Sequence, residues 1–262
     1  PALAGWAVAR FTPVGAPARL LAAAAAWTLA EWLRGFVLSG FPWLAVGNAE
    51  LSPGGALPLA GFAPIGGVFL VSLAVALTAA AIAAIAGALA DDRPRRVVAM
   101  LAGIAVVVAA GAALARIEWT RAAGDPVAIS LVQGNVSQAQ KFDPAFRPKN
   151  FELYERLVAL SRGRIVVLPE SAFPQYADEI PGEVFTRLAE TGRARDGGVL
   201  VGLFTADPPR APGEGERIHN SVVSLGAAPP QLYRKRHLVP FGESIPAKPI
   251  AGWFINRVLA LP

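Results

Sequence analysis

Three ionisable side chains in the second half of the chain stand where an α/β fold presents groups to a ligand. Glu170 ends the apolar run RIVVLPE, Lys235 follows QLY by one residue, and Glu243 closes VPFGE. Ligand crevices of α/β sheets lie at the ends of strands, so these positions face a site rather than a core. A carboxylate directly after an Ile-Val-Val-Leu strand suits a proton-accepting role. A lysine in such a place can stabilise a developing oxyanion, but a phosphate contact or a salt bridge uses the same residue type. Taken singly, each of the three is most simply a solvated loop charge. Their shared placement singles them out.

The remaining chemistry-bearing residues carry less. The sequence has no cysteine, so these 262 residues hold no disulfide, thiolate metal site or cysteine nucleophile. The two histidines, His219 and His237, lack ligand spacing with the carboxylates, so no metal is expected. His237 is expected to make a structural hydrogen bond, and His219 to open a strand as a satisfied edge or core histidine. Tyr233 alternates with Lys235 and packs either beside the site or in the core. Gly197-Gly198 reads as the start of a strand and Gly66-Gly67 as close helix packing.

The elements that must position these groups fall into two regions of different composition. Hydrophobic residues make up 54% of the chain and charged residues 16%, against about a quarter charged in an ordinary soluble domain. The apolar excess lies before residue 117. Residues 61–90 and 97–115 are uncharged runs long enough to cross a bilayer, which takes roughly 20 apolar residues. Residues 16–38 form a third candidate, interrupted by Arg19, Glu31 and Arg34, the last two spaced to pair on one helical face. Three such runs argue against buried core helices. The loop DDRPRR, residues 91–96, with Arg10 and Arg19, marks the cytoplasmic side. Residues 38–59 and everything after Arg116 then lie outside, in the periplasm of a Gram-negative cell. SGFPWLAVGN and SPGGALPLAG are either interfacial segments or plain connections. The net charge of +5 is scattered without an aromatic-basic ladder, so membrane topology accounts for it better than nucleic-acid binding.

After a linker at 122–126 the pattern becomes that of a layered α/β domain. VAISLVQGN, RIVVLPE and GGVLVGLF read as strands, alternating with helices at 145–162 and 183–195. Phe151, Tyr154, Leu157, Val158 and Leu160 form the expected buried face of the first helix. HNSVVSLG and QLYRK read as two neighbouring strands. The expected division is a transmembrane helical region at 1–121, with about three spans, and a globular domain at 122–262.

LPESAFP, YRKRHLVPFGE and VQGNVSQAQKFDP, behind several membrane helices, resemble the apolipoprotein N-acyltransferases, membrane-embedded members of the nitrilase superfamily. EWLRGFVLSGFPWLAVG and PLAGFAPIGGVFLVS resemble that family's membrane region, so the likeness covers nearly the whole chain. It implies an α/β domain of the αββα nitrilase type with a Glu-Lys-Cys triad. Glu170 matches the general base, Lys235 the oxyanion-stabilising lysine, and Glu243 the additional active-site glutamate that helps orient lysine and nucleophile. The implied reaction moves the sn-1 acyl chain of a phospholipid, through a cysteine thioester, onto the N-terminal amine of a diacylglyceryl-cysteine apolipoprotein. No cofactor is implied, and the partners are the phospholipid, the apolipoprotein and the membrane, with no nucleic acid. The protein is expected to act as a monomer in the bacterial inner membrane, its catalytic domain periplasmic.

Two departures stand against the pattern. The nucleophilic cysteine is absent, and truncation at both ends explains this better than substitution, leaving this fragment inactive by itself. Phe142 stands in QKFDP where the family usually has tryptophan, on an arm beside the acyl-chain site. Two competing readings are a membrane-anchored amidase with the same triad and a cysteine-less membrane scaffold. The tryptophan-bearing outer loops and long helices favour the acyltransferase.

Overall fold

The computed structural model describes residues 2–16, 18–37, 40–52, 55–209, 215–239 and 243. Contacts divide the chain into two compact units, one comprising residues up to Ala122 together with those from His237 onward, the other Ala123–Arg236.

The first unit is helical. Helices α1 (Ala2–Phe11) and α2 (Ala18–Arg34) are followed by a 3-10 turn at Val46–Glu50 and a two-residue hairpin of β1 (Leu51–Ser52) and β2 (Gly55–Ala56). A second 3-10 turn at Pro58–Phe62 leads into α3 (Ala63–Ala90), and an Asp91-Asp92 turn leads into α4 (Pro94–Leu114). Pro64 and Pro94 occupy the first turns of α3 and α4, where a missing N–H costs nothing and the fixed φ suits a helix. Two helical segments, Pro58–Ala90 and Pro94–Leu114, are long and apolar enough to cross a membrane. The third expected span is realised as the 17 residues of α2. At 1.5 Å per residue these reach about 26 Å, short of a hydrocarbon core of about 30 Å.

Small residues set the helix contacts. A Cβ on Gly61 would lie 1.9 Å from the Gly111 carbonyl oxygen, and one on Gly111 would lie 2.5 Å from that of Pro58. Gly47 N–H donates to the fully buried Ser72 hydroxyl at 3.0 Å. The expected close packing at Gly66-Gly67 is instead a kink: Gly67 has φ 60 and ψ −161, and its missing Cβ faces open space. Positive φ without an L-residue's Cβ is the demand that glycine meets here. The expected Glu31–Arg34 pair is also not made. Glu31 Oε1 accepts from Trp27 Nε1 and from Val46 N, each at 2.9 Å, tying α2 to the turn fifteen residues on. Its Oε2 and the Arg34 Nε and Nη2 are buried without a hydrogen-bond partner among the described residues.

The second unit carries a five-stranded sheet in the order β3 (Ile129–Leu131), β4 (Ile165–Val167), β5 (Gly198–Asp207), β6 (Arg217–Gly226), β7 (Gln231–Arg234). The first three strands run parallel, and β5-β6-β7 are antiparallel. Parallel neighbours need crossover helices: α6 (Arg147–Leu160) joins β3 to β4, after a single turn α5 (Gln138–Lys141), and α7 (Gly182–Arg193) joins β4 to β5. Val166, Val199, Val201, Leu203 and Leu225 share one sheet face and meet Tyr154 and Val158 of α6 and Val184 and Leu188 of α7. This is one helix layer on one sheet. Of the expected buried face of α6, Leu160 is exposed, because the helix ends there and Ser161 caps it in extended conformation.

Candidate active site

Glu170 owes its position to a pedestal built by the residues that follow it. Phe173 is fully buried and makes edge-to-face contacts with Phe151, 5.0 Å away, and Tyr154, 5.8 Å away. Asn150 Nδ2, on α6, donates to the Ala172 carbonyl at 2.8 Å, and Phe173 N donates to Gly202 O at 3.0 Å. Gly202 lets the Glu170 segment cross β5 at close range. A Cβ there would stand 2.5 Å from Pro169 O and 3.1 Å from Glu170 Cα. Ser171 adopts φ 47, a conformation rare for a residue with a side chain, directly beside the carboxylate.

Lys235 is brought in by sheet register. Its N–H donates to Asn220 O at 2.8 Å, continuing the β6–β7 ladder by one residue. The lysine Nζ lies 3.0 Å from Glu170 Oε1, although 65 residues separate the two. Asn220 Nδ2 donates to the same carboxylate oxygen. On the other side of Glu170, Lys141 Nζ donates to its backbone carbonyl at 3.2 Å and sits 5.9 Å from the centre of the Phe142 ring. A carboxylate with one oxygen held by an ammonium and an amide is oriented for proton transfer through the other.

Glu243 and Val239 close a turn reciprocally: Val239 N donates to Glu243 Oε2 and Glu243 N donates to Val239 O, both at 2.9 Å. The Pro-Phe-Gly residues between them lie outside the described residues. Phe142 is exposed at the C-terminal end of α5, beside Lys141. Tyr233 is also exposed, so it does not pack in a core; on β7 it pairs with Val222. His237 groups with the helical unit, its Nε2 2.9 Å from where a Cβ on Gly40 would stand. His219 Nε2 lies 3.3 Å from Asp207 Oδ2. Asp207 also receives both Arg234 Nη1 and Nη2, at 2.8 and 2.7 Å, and those hydrogen bonds hold its carboxyl below the usual range despite partial burial. Burial pushes the Tyr154 phenol up.

Residue type and strand position single out Glu170 and Lys235, but Asn220 and Lys141 carry no comparable signal in the sequence. Asn220 stands 15 places before Lys235, and only the β6–β7 register brings them opposite each other. Lys141 reads as a helix-end charge. Its one available signal is adjacency to Phe142 on the QKFDP arm.

Comparison with known proteins converges. The sequence profile of the apolipoprotein N-acyltransferase N-terminal domain matches residues 1–81. The apolipoprotein N-acyltransferase of Nitrosomonas europaea is 40% identical over all of this chain and 50% of its own length. That of Chromobacterium violaceum is 39% identical over 98% of the chain and 48% of its length, and that of Methylococcus capsulatus 37% over 100% and 49%. The chain therefore spans about half the length of the curated relatives it matches. With similarity running through both the helical unit and the unit that joins Glu170 to Lys235, the chain belongs to the apolipoprotein N-acyltransferase family.

Proposed function

We propose that this chain is the part of a lipoprotein N-acyltransferase that supplies its membrane anchor and two members of its catalytic triad. The observation that carries the reading is the 3.0 Å contact between Glu170 Oε1 and Lys235 Nζ. In the proposed reaction Glu170 takes the proton of a cysteine thiol, and the thiolate attacks the sn-1 ester carbonyl of a phospholipid. Lys235 stabilises the resulting oxyanion. Collapse expels the lysophospholipid alkoxide, which recovers the proton from Glu170, and leaves the acyl group as a thioester. The α-amine of the diacylglyceryl-cysteine apolipoprotein then attacks the thioester, giving an amide and restoring the thiol. The cysteine comes from outside these 262 residues, which contain none. Glu243 orients the lysine and the nucleophile, while Phe142 and Tyr233 contact the acyl chain.

Both substrates are lipids, so the reading needs a multi-pass membrane region, at 1–121, ahead of a periplasmic nitrilase-like domain at 122–262. The two ends of the helical unit support that orientation. Arg19, Arg93, Arg95 and Arg96 cluster where α2 begins and α3 turns into α4. At the opposite end Phe41 stacks on Trp43, and Trp119 Nε1 caps the Leu114 carbonyl of α4 at 3.1 Å. Arginines on the cytoplasmic side and tryptophans at an interface fit this polarity. The αββα architecture is supported by the second face of the sheet, where Ile129 and Leu131 are exposed. An apolar sheet face of this kind suits a second sheet about 10 Å away.

Incubating the full-length protein with phospholipid labelled in its sn-1 chain should give a thioester-linked acyl adduct. Glu170→Gln and Lys235→Ala should each abolish or severely slow it. Near-normal acylation in either variant removes its assigned role, and no adduct in the wild type removes the acyltransferase reading.

A further inference from the structure

A cleft of about 590 Å³ in the helical unit opens between α1, α2, α3 and the start of α4. Its walls are apolar: Leu20 and Ala23 of α2, Ala84 and Gly87 of α3, with Val8 from α1 and Met100 from α4. At one end, where α2 begins and α3 stops, it is lined by Arg19, Arg96 and Asp91. The charges there do not cancel. Asp91 is engaged by Arg93 at 3.4 Å, which does not line the cleft, and Arg19 is steadied at the α1–α2 turn by its hydrogen bond to Thr12 O at 3.3 Å. Two guanidinium groups thus border the end of an otherwise apolar slot.

The size falls within the range of small-molecule pockets, and an apolar cavity of this kind does not hold water well. Positive-inside topology explains arginines at this end of the unit but not a cleft between them. A hydrocarbon chain fits the walls, and the cationic end fits a phosphate. Basic pockets between membrane helices on the cytoplasmic side are suited to anionic head groups. We propose that this cleft binds an anionic phospholipid of the leaflet on the DDRPRR side, one acyl chain lying along Ala23, Ala84 and Gly87 and the phosphate between Arg19 and Arg96. The inference rests on the membrane reading above. This lipid is not the acyl donor.

The test uses the full-length protein in a non-ionic detergent, incubated with diether phosphatidylglycerol, which cannot donate an acyl group, or with diether phosphatidylcholine. Native mass spectrometry reads the lipid adducts. Phosphatidylglycerol should give a saturable adduct that phosphatidylcholine does not match. Arg19→Gln with Arg96→Gln should lower its occupancy about thirty-fold, the effect of two basic contacts to an anionic lipid. Gly87→Leu should block it independently. A Cβ at Gly87 meets nothing within 4 Å, so the side chain enters the cleft without a backbone clash, and leucine is the better helix former. Arg10→Gln, at the same end but outside the cleft lining, should leave the adduct intact. Co-flotation with phosphatidylcholine vesicles separates the two layers of argument. Protein that floats but binds both lipids equally, or keeps its adduct in the double variant and in Gly87→Leu, overturns the site alone. Protein that does not float overturns the membrane reading and the site with it.

Discussion

The two units of this chain are built inside out with respect to each other. In the helical unit most of the described buried positions are taken by small or polar residues, Ala24, Ala74, Ser72 and Glu31 among them, with Leu59 and Val71 as larger exceptions, while Ile82, Leu101 and Val106 stand exposed. In the α/β unit the buried positions are taken by Phe173, Leu188, Val199, Val201 and Leu203. The hydrophobic effect explains the second arrangement and opposes the first in water. Helices that turn apolar side chains outward and small ones toward each other are what a bilayer selects, because lipid tails are as apolar as leucine and only packing holds helices together. One chain therefore uses leucine and valine for two purposes, as a core in one half and as a solvent-facing surface in the other.

The largest expected effect is in the α/β unit. Phe173→Ala removes the fully buried ring that Phe151 and Tyr154 grip, and large-to-small changes of this kind cost about 3–5 kcal/mol. Limited proteolysis in urea should show the domain opening at a markedly lower midpoint. An unchanged midpoint would mean that the Glu170 pedestal is not the domain's core. Glu170 stands three residues before this ring, so under the proposed reaction acylation of the full-length protein should fall even at temperatures where the domain remains folded.

The next test sets two exposed apolar residues against each other. Val106 in α4 is 67% exposed and Leu160 in α6 is 72% exposed, so by exposure alone they are equivalent. If the units face different solvents, Val106→Lys should disfavour membrane insertion by about 3–4 kcal/mol. Leu160→Lys should shift domain stability by less than about 0.5 kcal/mol. Alkaline extraction of membranes reads the first and thermal unfolding the second. Equal tolerance of both substitutions would break the comparison.

Within α4, two glycines separate packing from lipid exposure. A Cβ on Gly111 would meet the backbone of Pro58 and Leu59, whereas one on Gly103 would meet nothing within 4 Å. Gly111→Ala should destabilise the helical unit by about 1–3 kcal/mol through overpacking. Gly103→Ala should be neutral or stabilising by up to about 1 kcal/mol, the helix propensity difference. Detergent-titration midpoints distinguish the two, and a reversed order would remove the close α4 contact.

How far the sequence can be read differs between the two units for a physical reason. RIVVLPE and GGVLVGLF are short apolar runs bounded by Gly, Pro or charge, so β4 and β5 are legible locally. The α6 helix is legible by periodicity, but Leu160 is not, since a residue at the last helical position no longer shares the buried face. Glu31 and Arg34 have the spacing of a pair. Spacing cannot reveal that the Val46 N–H, fifteen residues on, takes the carboxylate. Likewise Glu170 and Lys235 are linked through family resemblance, because nothing local in either segment points to a partner 65 residues away. The Asn220 contact depends on strand register, which no short motif encodes.

The smallest effect, and the one that tests the α/β unit's own electrostatics, concerns Asp207. Arg234 hydrogen-bonds its carboxyl, Arg217 lies 3.3 Å away, and both strands of the sheet's outer antiparallel pair, β6 and β7, thus converge on it. Its carboxyl is held below the ordinary value of 3.8, foremost by the Arg234 hydrogen bonds. A depressed carboxylate contributes stability that is present above the unfolded-state value and is lost as the pH falls through the folded one. Asp207→Asn should therefore lower the domain's unfolding midpoint at neutral pH, and the gap from wild type should narrow below pH 3.8 as wild-type Asp207 takes up its proton. Membrane extraction of the same variant should not change, since the cluster lies wholly within Ala123–Arg236. A gap that stays constant from neutral pH into that acid range would show that Asp207 acts through shape rather than charge. The contrast between the units would then rest on burial alone.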